Sequence, residues 1–192
     1  MLTRLFVVFF AVYSLCSVVK AQFNVEGYYW RDFTGEIPSD ALPGGTDVNG
    51  KPIYIGQVFK LFLIPAKIYV GDRKAYYAFG GLEHTVTDNI KILCTQRPEQ
   101  FEWVKTNNDE IKLITDKQLI IGGFEPGCTT YIGRVRQGGE TAVGKVLADI
   151  LHIFAGLHVT SNGLGIRHTS FEVLAFNPNL AKIDLRTSWE NN

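Results

Sequence analysis

Two acidic residues and two lysines of this chain repeat at one spacing. Asp47 precedes Lys67 by twenty residues, and Glu125 precedes Lys145 by the same interval. Each acidic residue follows a Gly-Gly pair, and each lysine is expected in a short loop. A carboxylate accepts a hydrogen bond from one hydroxyl group while an ammonium donates to the next, so such a pair can hold the vicinal diol of a sugar. From spacing alone, a surface salt bridge worth under about 1 kcal/mol remains the alternative.

Other residue types that carry chemistry form no recognisable set. The histidines follow neither HExxH nor a zinc spacing, and no serine sits in Gly-x-Ser-x-Gly. The sequence therefore predicts a protein that is not an enzyme, with no cofactor and no metal site. Four tyrosines are candidates to cover the apolar face of a sugar ring, whereas Trp30 and Trp103 are expected in the core; the tyrosines are Tyr54, Tyr76, Tyr77 and Tyr131.

The chain contains one motif twice, at 44–56 and at 122–133. Both copies open with Gly-Gly and close on Tyr-Ile-Gly. Further along, Phe79–His84 aligns with Phe154–Val159, and Ile90–Leu93 aligns with Phe171–Leu174. A repeat of this length is too long for a solenoid unit, so it predicts a duplicated half-domain with a pseudo-two-fold axis.

Turn residues and β-branched runs predict ten or more short strands. Val143–Phe154 has an apolar spacing that suits a helix, but its counterpart Ala66–Phe79 resembles strand-turn-strand. We therefore predict strand-turn-strand in both, with Asp149 near the turn. Ile111–Ile114 and Ala181–Arg186 are also predicted strands. The expected fold is an all-β, pseudo-two-fold, β-sandwich-like domain in which the two copies pack together.

The N-terminus resembles a targeting segment. Arg4 precedes the apolar run Leu5–Leu15, and Val19-Lys20-Ala21 resembles a cleavage site, which predicts a signal peptide over 1–21 and a secreted protein. A membrane anchor is the alternative, but the apolar run is shorter than the roughly 20 residues that span a bilayer. The whole chain has 19 basic and 19 acidic residues, which does not favour nucleic-acid binding.

Secretion makes the cysteines relevant, because extracellular proteins form disulfides. Cys16 leaves with the predicted signal peptide, so Cys94 and Cys128 remain. They form one bridge, or they are two separate buried thiols; the sequence leaves both alternatives open.

The repeated motifs resemble those of the DM9 repeat, a family of invertebrate proteins that usually carry two copies. The resemblance spans about 28–176, and its first copy shows Trp30, Ile37–Ala41, Gly44–Asp47, Tyr54–Gly56, Pro65–Lys67 and Gly81–His84. The second copy shows Gly122–Glu125, Tyr131–Arg134, Gly144-Lys145 and Glu172–Leu174. The resemblance implies a β-rich, pseudo-symmetric domain built from two intertwined tandem repeats. The expected organisation is a signal peptide at 1–21, the tandem repeat domain at 22–176 with copies at about 28–95 and 103–176, and an extension at 177–192 that is expected to form a strand.

The resemblance also implies a function. Lectin members of the family bind mannose-type glycans through the two motif positions that are Asp47 and Lys67 here, with Glu125 and Lys145 as the second pair. Glu125 stands where the pattern has Asp, so the first pair is the better candidate. The expectation is a secreted carbohydrate-binding protein that takes part in innate immunity as a pattern-recognition lectin, with a homodimer as the expected assembly. The alternative is a secreted protein-binding or structural module that kept the fold without sugar binding.

Overall fold

The computed structural model describes residues 27–178 and Leu180, and most of these residues lie in strands. Fifteen strands follow one another along the chain: β1 Tyr29–Asp32, β2 Pro43–Thr46, β3 Pro52–Phe59, β4 Leu63–Tyr69, β5 Ala75–Phe79, β6 Leu82–Val86, β7 Ile90–Cys94, β8 Phe101–Asn107, β9 Gln118–Leu119, β10 Ile121–Glu125, β11 Cys128–Gln137, β12 Glu140–Asp149, β13 Phe154–Ser161, β14 Leu164–His168 and β15 Ser170–Phe176. The predicted signal peptide and the predicted strand Ala181–Arg186 lie outside the described residues.

Two short 3₁₀ helices, Pro98–Gln100 and Ile111–Leu113, interrupt the strands. The second one shows that the strand predicted at Ile111–Ile114 is wrong. The Asn107 side chain accepts hydrogen bonds from the backbone N–H groups of Asp109 and Glu110, which turns the chain just before this segment. Only Ile111 is then buried, while Leu113 is exposed.

All fifteen strands belong to one sheet. Its strand order is symmetric: each strand counted from one end has its counterpart in the other copy at the same place counted from the other end. The order is β1-β7-β3-β2-β12-β13-β14-β6-β5-β4-β10-β11-β15-β8, with β9 paired to β15. Thus β1 corresponds to β8, β7 to β15 and β3 to β11. The pseudo-two-fold axis passes between β6 and β14, where Leu82 faces Leu164. The predicted all-β fold with two intertwined copies is confirmed.

The copies are intertwined because each one contributes a strand beside the other. Thr46 of β2 pairs with Thr141 of β12, and Phe124 of β10 pairs with Leu63 of β4. The additional pairing of β3 with β4 closes a ring of eight strands: β3, β2, β12, β13, β14, β6, β5 and β4.

Two hydrogen bonds cross between the copies at equivalent positions. Gln57 donates to the carbonyl of Gly122 at 2.7 Å, and Arg134 donates to the carbonyl of Gly44 at 3.3 Å. The Arg134 guanidinium also lies 4.3 Å from the ring centroid of Trp103, which fixes its orientation. Side chains that follow Tyr-Ile-Gly in each copy therefore hold the Gly-Gly segment of the other.

The second glycine of each Gly-Gly pair permits this exchange of strands. A Cβ atom on Gly45 would lie 1.8 Å from the Thr141 carbonyl oxygen, and one on Gly123 would lie 2.1 Å from that of Leu63. No larger residue fits without separating the strands. This part of the motif is explained by packing between the copies.

The ambiguous segment at 143–154 is a strand, a turn and a strand, as predicted. β12 is buried along both faces, so its apolar residues do not alternate, which explains its helix-like spacing. The Asp149 carboxylate holds the turn by accepting from the N–H groups of Leu151 and Ile153, each at 2.8 Å.

The predicted alignment of Phe79–His84 with Phe154–Val159 is wrong. Lys67 pairs with Tyr76, and Lys145 pairs with His158. Tyr76 is therefore equivalent to His158. Three residues further along each strand, Phe79 is equivalent to Ser161, and both residues end their strands at the turn before the next strand. The β12–β13 hairpin is longer, because Lys145 and His158 are thirteen residues apart whereas Lys67 and Tyr76 are nine apart, and an irregularity in the β12–β13 register also shifts the second copy relative to the first.

Both described cysteines are free thiols, which is the second of the two alternatives left open by the sequence. Cys94 is buried in β7, and Cys128 is partly exposed at the start of β11. Burial, followed by the nearby Asp40 carboxylate, raises the pKa of the Cys94 thiol to about 11.

Candidate functional site

The two motif lysines lie inside strands, and the short loops predicted for them are wrong. Lys67 is in the middle of β4 and 2% exposed; Lys145 is in the middle of β12 and 3% exposed. Burying an ammonium is costly unless it is paired and hydrogen-bonded. The partners of each lysine therefore define a site, named below the Lys67 site and the Lys145 site.

The Lys67 site joins the two copies. The Lys67 Nζ atom donates to Glu140 Oε1 at 2.5 Å and to the carbonyl oxygen of Thr160 at 2.9 Å. The Tyr69 hydroxyl donates to the other Glu140 oxygen at 2.7 Å. Burial, then the hydrogen bond to Glu140, raises the pKa of Tyr69, so the phenol stays protonated at neutral pH. Both oxygens of Glu140 are thus satisfied.

Asp47, the predicted partner of Lys67, is engaged elsewhere. Its Oδ1 atom accepts from the backbone N–H groups of Asn49 and Lys51, each at 2.8 Å. This pattern caps the turn that follows β2, as short acidic side chains often do. No ion pair between Asp47 and Lys67 occurs in the part of the chain that the structure describes.

The Lys145 site contains the second predicted pair, and here the two residues do meet. The Lys145 ammonium is hydrogen-bonded to the Glu125 carboxylate, and it lies 5.3 Å from the ring centroid of Phe79. The Phe79 ring in turn lies 6.3 Å from that of Phe62. A carboxylate, an ammonium and an aromatic wall therefore occur together at this position.

His158 adds a polar atom beside Lys145. It faces Lys145 across the β12–β13 pairing. Burial, then the charges of Lys145 and Arg167, lowers the pKa of His158 to about 4, so the imidazole is neutral at pH 7. Its Nε2 atom is buried and has no hydrogen-bond partner. Such a group is costly when left unsatisfied, and a ligand hydroxyl can satisfy it.

The two sites occupy equivalent positions but differ in chemistry. The β3–β4 and β11–β12 registers make Phe62 equivalent to Glu140, and Phe79 is equivalent to Ser161. The Lys67 site is therefore lined by carboxylate and phenol groups, whereas the Lys145 site is lined by phenyl rings. Comparing the repeats by sequence does not reveal Glu140, because its counterpart is Phe62.

Only one predicted sugar-facing tyrosine borders a site. Tyr76 packs edge-on against Tyr69, with ring centroids 5.4 Å apart, and its hydroxyl donates to Asp72 at 2.5 Å. Burial, then the Asp72 hydrogen bond, raises the pKa of Tyr76 to about 12. The other three tyrosines pack in or against core clusters: Tyr54, Tyr77 and Tyr131.

Within the described residues, no cluster of three or more His, Cys, Asp or Glu side chains is arranged to hold a metal ion. No helix in 27–178 is long and apolar enough to cross a membrane.

The sequence matches a known protein family. The profile of the DM9 repeat matches residues 58–156, which is more than half of the chain. The chain belongs to the DM9 repeat family. No curated protein matches its sequence. The DM9 match runs from β3 to β13, so it includes both lysines, Glu125 and Phe79, whereas His158 lies just beyond its end.

One solved structure with a similar fold is the nematode sperm cell motility protein MFP2B. The TM-score is 0.53 at 14% sequence identity, and the match covers 79% of this chain. The chain spans 47% of the length of that protein. At this identity the likeness shows a shared fold. In the DM9 chain described here, that fold brings two buried lysines to equivalent positions and gives them different partners.

Proposed function

We propose that this DM9 protein is a secreted carbohydrate-binding protein for mannose-type glycans, a pattern-recognition lectin whose principal site is the Lys145 site. One observation supports this choice over the Asp47–Lys67 pair. Of the two carboxylate–lysine pairs predicted from the sequence, Glu125–Lys145 meets in the structure and lies against an aromatic ring.

The groups of the Lys145 site suit a pyranose. An ammonium has three donors, and Lys145 uses one on Glu125. A vicinal diol can accept from a second donor and donate to the carboxylate. The C–H face of the ring can pack on Phe79. The unpartnered His158 Nε2 atom is buried, so a further hydroxyl reaches it only if the site opens on binding. Each of these contacts adds to the affinity without displacing a bond within the protein.

The Lys67 site offers fewer free groups. Lys67 already donates to Glu140 and to Thr160, and Tyr69 satisfies the second Glu140 oxygen. A sugar that binds there must break contacts between the two copies. We therefore assign the Lys67 site a structural role. Sugar binding through Asp47 and Lys67 would contradict this assignment.

Titration calorimetry with mannose and a mannobiose tests the proposal. We expect heat from the wild type, loss of heat in Lys145→Met and in Glu125→Gln, and a clear weakening in Phe79→Leu. The exposed Lys60 provides the matched control, because Lys60→Met removes a lysine far less buried and is expected to bind as the wild type does. Near-ultraviolet circular dichroism confirms that each variant is folded. Heat lost only in Lys67→Met would move the site to the first pair.

Secretion is part of the same proposal and rests on the segment at 1–21. Expression of the full chain in insect cells, followed by N-terminal sequencing of the protein in the medium, tests it. A mature N-terminus at Gln22 is expected. Retention of the chain inside the cells would contradict it.

A protein-binding or structural module is the second candidate. The internally satisfied Lys67 site favours it, as does the fold shared with a protein whose name states a role in sperm motility. A partner captured by the wild type and retained in saturating mannose would support this function. Release of the partner by mannose would instead support glycan binding as the function.

A further inference from the structure

Exposed apolar side chains concentrate at one end of the molecule. Of the eleven large apolar side chains that are more than half exposed in the described chain, six lie at or beside the tips of three hairpins. We name the set the apolar end, and its members are Phe59, Leu61, Phe124, Ile150, Leu151 and Ile153. Leu61 and Ile150 are the most exposed, at 80% and 81%. All six are 52–81% exposed and lie together, whereas exposed apolar residues on a soluble protein are normally scattered singly.

Strand pairing holds the three tips side by side. The β3–β4 tip touches the β10–β11 tip because Leu63 pairs with Phe124. The β10–β11 tip touches the β12–β13 tip because Cys128 pairs with Asp149. Neighbouring strands lie about 5 Å apart, so the six side chains belong to one continuous surface.

The fold does not require apolar residues in these turns. The turn at 149–153 has the same hydrogen bonds as the turn at 47–51. In each turn an aspartate Oδ1 atom accepts from the N–H groups two and four residues later, and its own N–H donates to the carbonyl four residues later. The residues after the aspartate are Val-Asn-Gly-Lys in the first turn and Ile-Leu-His-Ile in the second.

The opposite end, related by the pseudo-two-fold axis, is more polar, although Val48 of its 47–51 turn is 67% exposed. Phe59 is equivalent to Arg136, and Phe124 is equivalent to Thr46. The repeat motif therefore does not require an apolar end, because the equivalent positions of the other end carry polar residues.

Each acidic or basic side chain of the three tips is compensated. Lys60 pairs with Asp88 at 3.2 Å, and Glu125 is bonded to Lys145. Asp149 accepts from two backbone N–H groups of its own turn, and the same turn satisfies the N–H of His152. A surface with paired charges and internally bonded turns can leave water at low cost, which is the requirement for entering the boundary between lipid headgroups and acyl chains.

We propose that the apolar end docks on a lipid surface, with the three tips entering the interfacial region of a zwitterionic bilayer. The surface carries no uncompensated positive charge that would select anionic lipid. Tips of separate hairpins fit a deformable bilayer, whereas a dimer interface needs a complementary surface packed as tightly as a protein interior. The side chains that insert are not those that hold the sugar, but Glu125 of the Lys145 site belongs to the β10–β11 tip, so the docking surface borders the proposed sugar site.

Co-sedimentation of the purified protein with phosphatidylcholine vesicles tests the proposal. The double variant Leu151→Asn with Ile153→Lys takes its residues from the equivalent positions of the 47–51 turn, so the backbone is preserved. We expect the wild type to pellet with the vesicles and the bound fraction to fall at least fivefold in this variant. Leu61→Ser is expected to weaken binding through a different tip.

Two controls isolate the apolar end. Val48→Ser and Leu113→Ser remove apolar side chains that are 67% and 70% exposed elsewhere, and both variants are expected to bind as the wild type does. The vesicles contain no sugar, so failure of the glycan proposal leaves this result unchanged. A wild type that stays in the supernatant would overturn the proposal, as would binding only to phosphatidylserine-containing vesicles at low salt. A doubled mass by light scattering that Leu151→Asn abolishes, without vesicle binding, would identify the surface as a contact between copies.

Discussion

Lys67 of the first copy and Glu140 of the second form a buried ion pair, with 2.5 Å between Nζ and Oε1. Their side chains are 3% and 11% exposed. We predict that Glu140→Ala lowers the free energy of unfolding by about 3–5 kcal/mol, because it leaves the Lys67 ammonium buried without its counter-charge. Urea unfolding followed by tryptophan fluorescence measures the effect.

The Lys60–Asp88 pair is the control for this experiment. Both side chains are well exposed, at 43% and 64%, so Lys60→Ala is expected to cost under about 1 kcal/mol. If Glu140→Ala costs no more than this control, the Lys67 site does not hold the copies together.

Gly45→Ala should disrupt the exchange of strands. The added methyl group would lie 1.8 Å from the Thr141 carbonyl oxygen, so β2 must move away from β12. We expect unfolding at a clearly lower urea concentration or failure to fold. Gly127→Ala is the control: it meets no atom within 4 Å and has only the strain of its positive φ, roughly 1–2 kcal/mol. Equal stability of the two variants would contradict the role given to Gly45.

His158 should make the fold sensitive to mild acid. Its pKa is lowered from 6.5 to about 4 in the folded protein, so the unfolded chain binds the proton more readily. Stability from this residue is complete above pH 6.5 and is lost as the pH falls from about 6.5 to about 4. Urea unfolding at several pH values should show a flatter profile for His158→Gln. If the free energy of unfolding of the variant depends on pH as steeply as that of the wild type, other groups cause the acid sensitivity.

The two cysteines should react at different rates with iodoacetamide at pH 8. Cys94 is fully buried, and burial raises its pKa to about 11, so little thiolate is present. Cys128 is partly exposed. Mass spectrometry should find Cys128 modified first and Cys94 modified only after denaturation. A bridge between them, shown by resistance of both thiols until reduction, would contradict the free state.

Local patterns were sufficient for several of these features. The duplicated Gly-Gly and Tyr-Ile-Gly motifs predicted two copies related by a pseudo-two-fold axis, since a repeated sequence forms a repeated structure, and the resemblance to the DM9 repeat implied that the copies are intertwined. The turn at Asp149 was predicted from the counterpart segment Ala66–Phe79, and in the structure the Asp149 carboxylate caps it by accepting from the N–H groups that follow. The spacing from Glu125 to Lys145 also predicted a carboxylate–lysine pair, and the structure contains this ion pair. These features depend on residues that lie close together in the sequence or on equivalent neighbouring strands.

The tertiary structure decided which carboxylate each lysine received. Asp47 is too short to leave its own turn, and Lys67 is bonded instead to Glu140, which the β2–β12 exchange between copies brings within reach. The wrong alignment of Phe79 has the same origin, because strand register and not sequence similarity sets its neighbours. The sequence by itself determined a duplicated all-β fold, since backbone pairing follows from local pattern. Only the folded chain determined which site is polar and which end is apolar, because the side chains that line them come from opposite copies.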